Sequence, residues 1–109
     1  MEITQRHAEM CSGLGDSHRI LILYALAERE HNVSELVMRL GLSQPTVSRH
    51  LKILRECGVV SATRQGKAVY YLPADGRIVE AMDLLRAVLT DQIKSQGSIA
   101  SRAKLRPPI

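Results

Sequence analysis

The amino-acid sequence predicts a mainly α-helical fold with one small β-hairpin, an α+β class. Two short helical segments with capping residues stand on either side of the tripeptide GLS at 41–43. Further along, two runs rich in β-branched and aromatic residues, 59–64 and 68–72, flank a glycine-containing turn. Three helices, a hairpin and flanking helices together make a winged helix-turn-helix.

The length and composition of the chain predict a single domain that lies in the cytoplasm. The chain has 109 residues, is 45% apolar and contains no Phe and no Trp, so its core must be aliphatic. No apolar run approaches the roughly 18 residues of a membrane span, and the first ten residues are too polar for a signal peptide. Two cysteines do not make a disulfide framework, and we expect free thiols.

The first two helices differ in apolar pattern. The segment 3–11 is weakly helical, with apolar residues at three- and four-residue steps. Asp16 or Ser17 can cap the second helix, at 18–30. This second helix is apolar almost all round, so we expect it to lie at the centre of the fold.

The third and fourth helices carry start and stop signals. Asn32 and Glu35 form a capping-box pattern, and Gly41 suits the left-handed position that ends the third helix. Ser43 can cap the fourth helix, which Gly58 then ends.

A long helix is predicted from residue 77 to about 92. Its apolar stripe is too wide for a lone surface helix, so part of it should face another subunit. We therefore predict one winged helix-turn-helix domain, with a surface for dimerisation, over residues 1–93. The remaining segment, 94–109, lacks periodicity and carries cations without acids, so we expect a basic, disordered tail.

Positive charge is concentrated on the fourth helix and the hairpin. Between residues 43 and 67 five cations stand against Glu56 as the one acid. Up to Ile93 the whole chain balances cations with acids. Such local patches on a neutral body favour a polyanionic partner, and we predict double-stranded DNA.

The fourth helix is predicted to read the DNA major groove, because its polar side chains are short or cationic. Gln44 can pair with an adenine edge and Arg49 with guanine, while Lys52 suits a phosphate. His50 is the ambiguous member, since its spacing also fits the rim of the core. The candidate DNA-binding residues are Ser43, Gln44, Thr46, Ser48, Arg49, His50 and Lys52.

The hairpin is predicted to act as a wing. Its tip carries Arg64, Gln65 and Lys67 around a flexible glycine. Such a tip can lie along the sugar-phosphate edge, or insert Arg64 into a minor groove.

The segment VSELVMRLGLSQPTVSRHLKILRECGVV, followed by RQGKAVYYL, resembles the ArsR/SmtB family of bacterial repressors, and LGDSHRILIL resembles the second-helix motif of that family. The resemblance implies a homodimer held by the first and last helices and bound to an inverted-repeat operator. The two recognition helices would lie about 34 Å apart. It also implies that a metal ion or thiol oxidation releases the DNA.

The metal-binding patterns of that family are mostly missing here. Asn32 and Ser34 stand where arsenic- and cadmium-type members carry a Cys-x-Cys pair, and the last helix has no His. Cys11 and Cys57 remain, with three alternatives: buried hydrophobes, a thiol switch for oxidant, sulfur species or arsenite, or a soft-metal site with His7. No cofactor is expected beyond such an effector.

The sequence is compatible with two functions from different classes. The first is a sequence-specific DNA-binding repressor. The alternative is a winged-helix protein–protein interaction module without specific DNA binding. The polar, cationic fourth helix favours the repressor, because a protein interface would need apolar or aromatic anchors there. An enzyme is not expected, since the sequence has no phosphate-binding glycine loop and no nucleophile–base pair beyond His7 and Cys11.

Overall fold

The order of elements is that of a winged helix-turn-helix, in a computed structural model that describes residues 2–103, with 97–103 described by their backbone. The described elements are α1 (Ile3–Gly13), α2 (Ser17–Glu28), α3 (Val33–Leu40), α4 (Gln44–Glu56), β1 (Val60–Gln65), β2 (Ala68–Pro73) and α5 (Gly76–Ala103). This order confirms the predicted fold class. The chain divides between Val79 and Glu80 into two compact units, so α5 begins in the first unit and continues in the second.

Helix α2 forms the centre of the first unit, as predicted. Its N-cap is Asp16, whose Oδ1 accepts hydrogen bonds from the backbone N–H groups of His18 (2.8 Å) and Arg19 (3.3 Å). This geometry selects Asp16 over Ser17 as the cap. The fully buried side chains of α2 are Ile22, Leu23, Ala25 and Leu26.

The predicted helix ends of the helix-turn-helix are confirmed. Asn32 and Glu35 exchange side-chain-to-backbone hydrogen bonds of 2.9 Å at the start of α3. Gly41 then adopts the left-handed conformation at φ 68°. Ser43 caps α4, and Gly58 follows its last turn at φ 80°. These caps fix the turn between α3 and α4, which therefore sets the direction of α4.

The hairpin is attached to the helical part by a bridge that the sequence did not predict. Strands β1 and β2 pair antiparallel up to Gln65 and Ala68, so that a two-residue turn with Gly66 at φ 65° joins them. His31, in the loop between α2 and α3, pairs with Tyr71 through hydrogen bonds of 3.3 and 2.9 Å. The base of the wing is thus held against this loop.

Helix α5 is longer than predicted. It continues past the predicted end near residue 92 to Ala103, because no proline lies between residues 92 and 107 and the Lys, Gln, Arg and Ala residues of that stretch favour helix. The expected irregular backbone from residue 94 is therefore wrong up to Ala103. Residues 104–109, which carry the rest of the predicted tail, lie outside the described residues, and the domain bounds of 1–93 stay a prediction.

In the second unit, α5 presents exposed apolar side chains. At least half of each is accessible at Leu84, Leu85, Val88, Leu89 and Ile93. Their three- and four-residue steps form one continuous stripe, as the sequence indicated. None of the helices in the described part of the chain combines the length and the apolar content of a membrane span.

Candidate nucleic-acid interface

Helix α4 has one buried and one polar face. Val47, Leu51 and Leu54 anchor the helix in the core. The side chains predicted to contact DNA lie outside that core with one exception. Ser43, Gln44, Arg49 and Lys52 are exposed, and Thr46 and Ser48 are half-buried.

Hydrogen bonds order the beginning of this polar face. The hydroxyl of Ser43 donates to Thr46 Oγ1 at 2.8 Å and also accepts from the Thr46 backbone N–H at 3.3 Å. One turn further, Gln44 Nε2 donates to Ser48 Oγ at 2.9 Å. The amide of Gln44 is therefore held along the helix surface, and its carbonyl oxygen keeps its capacity to accept.

The wing carries its predicted residues on the surface. Arg64, Gln65 and Lys67 are all exposed at the hairpin tip. Gln65 Nε2 donates a 2.9 Å hydrogen bond to Glu30 Oε2 in the loop before α3. Gln65 thus contacts the protein itself, whereas Arg64 and Lys67 are exposed to solvent.

An open groove between α4 and β2 adds two residues that the sequence analysis missed. Ser48, Lys52, Arg55, Glu56 and Tyr71 line it. Arg55 follows Lys52 by three residues on the same helix face, so helical spacing could have identified it. Tyr71 belongs to β2, and only the folded hairpin brings it beside the helix.

His50 does not join the DNA-facing set. Only 3% of the surface of His50 is exposed, because the residue lies on the inward side of α4 beside Leu51. Its Nδ1 lies 3.3 Å from Arg19 Nη1, and its Nε2 lies 3.9 Å from Asp16 Oδ1. The prediction that His50 contacts DNA is therefore wrong, and its packing alternative is correct.

The surroundings of His50 keep its ring neutral. Burial lowers the pKa of His50, the carboxylate of Asp16 opposes that change, and the positive charges of Arg19 and Arg49 lower it further. Partial desolvation raises the pKa of Asp16, but hydrogen bonds from the Arg19 and His18 backbone bring it below its usual value. An ionised carboxylate thus faces a neutral imidazole.

The two cysteines are free thiols in different surroundings. Cys11 is exposed, so the alternative that both cysteines are buried hydrophobes is wrong for it. Cys57 is half-buried at the end of α4 and packs against the backbone of Gly13 in α1. A Cβ placed on Gly13 would lie 2.8 Å from Cys57 Cβ and 2.9 Å from its Sγ. The thiol of Cys57 therefore sits in a tight junction between α1 and α4.

The structure does not gather the predicted metal ligands. His7, Cys11 and Cys57 do not form a group with ligand atoms close together. Among residues 2–96, whose side chains are described, a different group of possible metal ligands comes together. Asp16, His18 and His50 each place one nitrogen or oxygen ligand atom within 4.8 Å of the others. Sequence reasoning missed this group because its third member comes from another helix.

Comparison with known proteins gives a consistent assignment. The family model described as "Bacterial regulatory protein, arsR family" matches residues 16–62, from the start of α2 into β1. The "Probable mercury resistance operon repressor" of Streptomyces lividans is 37% identical over 84 residues, which cover 77% of this chain and 67% of that protein. The "HTH-type transcriptional regulator CmtR" of Mycobacterium tuberculosis is 36% identical over 88% of this chain and 81% of its own.

A solved structure agrees with these sequence relatives. It is the homodimeric winged helix-turn-helix DNA-binding domain Mb0332 of Mycobacterium bovis, described as a possible ArsR-family transcriptional regulator. The two chains superpose with a TM-score of 0.79 and 26% sequence identity, over 85% of this chain and 86% of that one.

Proposed function

The chain belongs to the arsR family of bacterial regulatory proteins, which regulate transcription by binding DNA and are not enzymes, and we propose that it represses transcription as a homodimer on an inverted-repeat operator. The observation that carries the proposal is the exposed polar face of α4, which bears amide, hydroxyl and cationic groups above a fully buried apolar face.

Each side chain of that face has a role in the proposal. Gln44 reads adenine through its amide, and Arg49 reads guanine through two parallel N–H donors. Lys52 and Arg55 neutralise backbone phosphates beside the groove. The N-terminus of the 13-residue α4 binds a further phosphate through the backbone N–H of Gln44 and the positive end of the helix dipole, because Pro45 has no N–H and that of Thr46 already donates to Ser43.

The wing supplies a second set of contacts. Arg64 and Lys67 extend from the tip toward the sugar-phosphate backbone, and Arg64 is long enough to enter a minor groove. The hydrogen bond from Gln65 to Glu30 supports this role, because it limits the positions that the tip can take.

The homodimer follows from the apolar stripe of α5. Its exposed residues from Leu84 to Ile93 need a partner of the same chemistry, and a second copy provides it. The homodimeric Mycobacterium bovis domain supports this arrangement. Two α4 helices about 34 Å apart then match successive turns of one face of the duplex. We place this activity in the cytoplasm, where a bacterial operator lies.

For the signal that releases DNA we propose a thiol-directed effector acting at Cys57. A soft metal ion, a metalloid such as arsenite, or an oxidant adds atoms to the thiol, and on the side that faces Gly13 the close packing leaves no space for them. The adduct would displace α1 from the end of α4. The mercury resistance repressor among the relatives supports a soft effector.

The DNA-binding proposal is tested with a duplex selected from a random pool. We expect fluorescence anisotropy to give an affinity that falls steeply with salt, about a thousandfold between 50 and 200 mM if six or more phosphates are contacted. A scrambled duplex of equal length is the control. A weak, salt-insensitive affinity that is equal for both duplexes would instead support the protein–protein interaction module.

The effector proposal is tested on the same selected duplex. We expect diamide or arsenite to lower the affinity of the wild type and to leave Cys57→Ser unaffected. Cys11→Ser is the matched control, because Cys11 is exposed and lies outside the tight junction. If neither reagent changes wild-type binding, Cys57 is not the sensing thiol.

A further inference from the structure

Three potential metal ligands converge where α2 begins and α4 passes beside it. Asp16 caps α2, and His18 lies in its first turn. His50 reaches them from α4, with its ring centroid 5.6 Å from that of His18 in an edge-to-face arrangement. One ligand atom from each residue falls within 4.8 Å of the others.

The buried ring of His50 has an atom without a hydrogen-bond partner. Its Nε2 is inaccessible and makes no hydrogen bond, and its side chain is 4% exposed. The nearby Asp16 Oδ1, at 3.9 Å, is too far to accept one. By contrast, the buried His31 donates from Nδ1 to the Arg29 carbonyl at 2.8 Å and accepts at Nε2 from Arg39 at 3.3 Å. An orphaned buried nitrogen therefore requires an explanation at His50.

We propose that Asp16, His18 and His50 bind a borderline divalent transition-metal ion, with Zn²⁺ as the reference case. One carboxylate oxygen and two imidazole nitrogens are the donors that Zn²⁺, Co²⁺ and Ni²⁺ accept, and three protein ligands leave a position for water. The site contains no thiol, so it differs from the soft-effector site proposed at Cys57.

The ligands can close around an ion with small movements. Tetrahedral Zn²⁺ with bonds of about 2.0–2.1 Å holds its ligand atoms about 3.4 Å apart, somewhat closer than they lie here. The side chain of His18 is exposed and can rotate toward a fixed His50, whereas Asp16 Oδ1 already lies 3.9 Å from His50 Nε2 and needs only a small shift, so that Asp16 can remain the cap of α2. Their exposure also gives the ion a path from solvent.

Arg19 must move when the ion binds. Its guanidinium can only donate, so in the metal-free protein Nδ1 of His50 accepts and Nε2 carries the ring proton. An ion at Nε2 requires the other tautomer, in which the Nε2 proton passes to solvent and Nδ1 gains one. The Nδ1–H then faces the Arg19 N–H, and this repulsion separates them. The Gly13 carbonyl, which accepts from Arg19 Nε at 2.7 Å in the metal-free protein, remains an acceptor for Arg19.

Cobalt binding tests the proposal without reference to DNA. The full chain, free of any histidine tag and stripped with a chelator, is titrated with Co²⁺ while its visible d–d absorption is recorded. We expect one saturable equivalent per chain, displacement by Zn²⁺, and a higher melting temperature with Zn²⁺. Asp16→Asn keeps a good N-cap but removes the charge, and His18→Ala changes an exposed residue. Both variants should bind at least tenfold more weakly.

Controls separate this site from the thiols. His7→Ala removes another exposed histidine, and the Cys11→Ser/Cys57→Ser double variant removes both sulfurs. Each should bind Co²⁺ like the wild type. The proposal is overturned if the wild type takes up no stoichiometric Co²⁺, if Asp16→Asn and His18→Ala bind normally while folded by circular dichroism, or if a control variant loses the ion.

The outcome is independent of the proposed function. None of the three ligands is among the residues assigned to DNA, so metal-free His18→Ala should bind the selected duplex like the wild type. A wild-type protein that binds the selected duplex but takes up no stoichiometric Co²⁺ refutes the metal site, and a wild-type protein that takes up Co²⁺ but does not bind the selected duplex refutes the proposed function.

Discussion

At the scale of single residues, hydrogen-bond partners close in sequence could be predicted, and packing partners distant in sequence could not. Asn32 and Glu35 lie three residues apart, so their reciprocal hydrogen bonds could be predicted from spacing. His50 could not be assigned, because its three- and four-residue steps fit both the rim of the core and the DNA face. Its neighbours Asp16 and Arg19 are more than thirty residues away in sequence, and only the fold brings them together.

Arg49 should determine the preference for one base pair. Arg49→Ala should lower operator affinity by about 1–3 kcal/mol and relax the preference at that position, because two donors to guanine are lost. Affinities for a set of singly substituted duplexes measure both effects. An equal loss on every duplex would make Arg49 a phosphate contact instead.

Gly13 should tolerate no side chain. Gly13→Ala should reduce the free energy of unfolding by about 1–3 kcal/mol, because the added Cβ would overlap Cys57. Chemical denaturation of the metal-free protein measures the change. Gly76→Ala is the matched control, since its Cβ would meet nothing within 4 Å and should change stability by less than about 0.5 kcal/mol.

Asp75 should lose its proton at unusually low pH. The side chain of Arg77 donates to it at 2.9 and 3.1 Å, and its backbone N–H adds a bond, which together lower the pKa of Asp75 to about 2. Because the folded pKa lies below the usual aspartate value of 3.8, the stabilisation is present above pH 3.8 and disappears as the pH falls toward 2. Carboxyl NMR titration should show this pKa, and Arg77→Ala should raise it.

At the scale of helices and strands, the bounds of an element were predicted most accurately where capping residues or glycine mark its ends. Helices α3 and α4 were located well because glycine and capping residues mark their ends. Helix α5 has no such signal after Gln92, and its continuation to Ala103 was missed. The hairpin was found from its β-branched runs, but its bridge to His31 was not, because a single pair of residues leaves no periodic pattern.

The wing should contribute affinity without base preference. Lys67→Ala should weaken binding to every duplex by a similar factor and make the salt dependence shallower by about one unit, because one phosphate contact is lost. Salt titrations with preferred and scrambled duplexes measure both quantities. A changed base preference would show that Lys67 reads sequence.

At the scale of the whole molecule, α5 links the fold to its assembly. Its exposed leucine-rich stripe predicted a second subunit from sequence, and the described helix carries that stripe on its surface. The function could be inferred from the composition of one helix face, because reading a major groove demands short and cationic side chains. The releasing signal could not be inferred in the same way, since Cys57 and Gly13 come from different helices.

The stripe should be needed for pairing. Leu89→Glu should convert the protein to a monomer in sedimentation velocity experiments, because an unpaired carboxylate would be buried between the subunits. Affinity for the full operator should fall accordingly. Met38→Glu is the control, since Met38 is 86% exposed on α3 outside the stripe and should leave the oligomeric state unchanged. A dimeric Leu89→Glu protein would place the interface elsewhere.

The bridge between His31 and Tyr71 also restricts how the protein can adjust to different duplexes. It ties the two-stranded hairpin at Tyr71 to the loop before α3, so the wing cannot pivot freely at that point. Differences in groove width between operators must then be accommodated by movement of the two turn residues, 66 and 67. Because the wing is stiff, the protein should bind more weakly to operators in which the wing must reach across a wider groove. Backbone amide protons of the hairpin near Tyr71 should exchange far more slowly than those of the turn at residues 66 and 67.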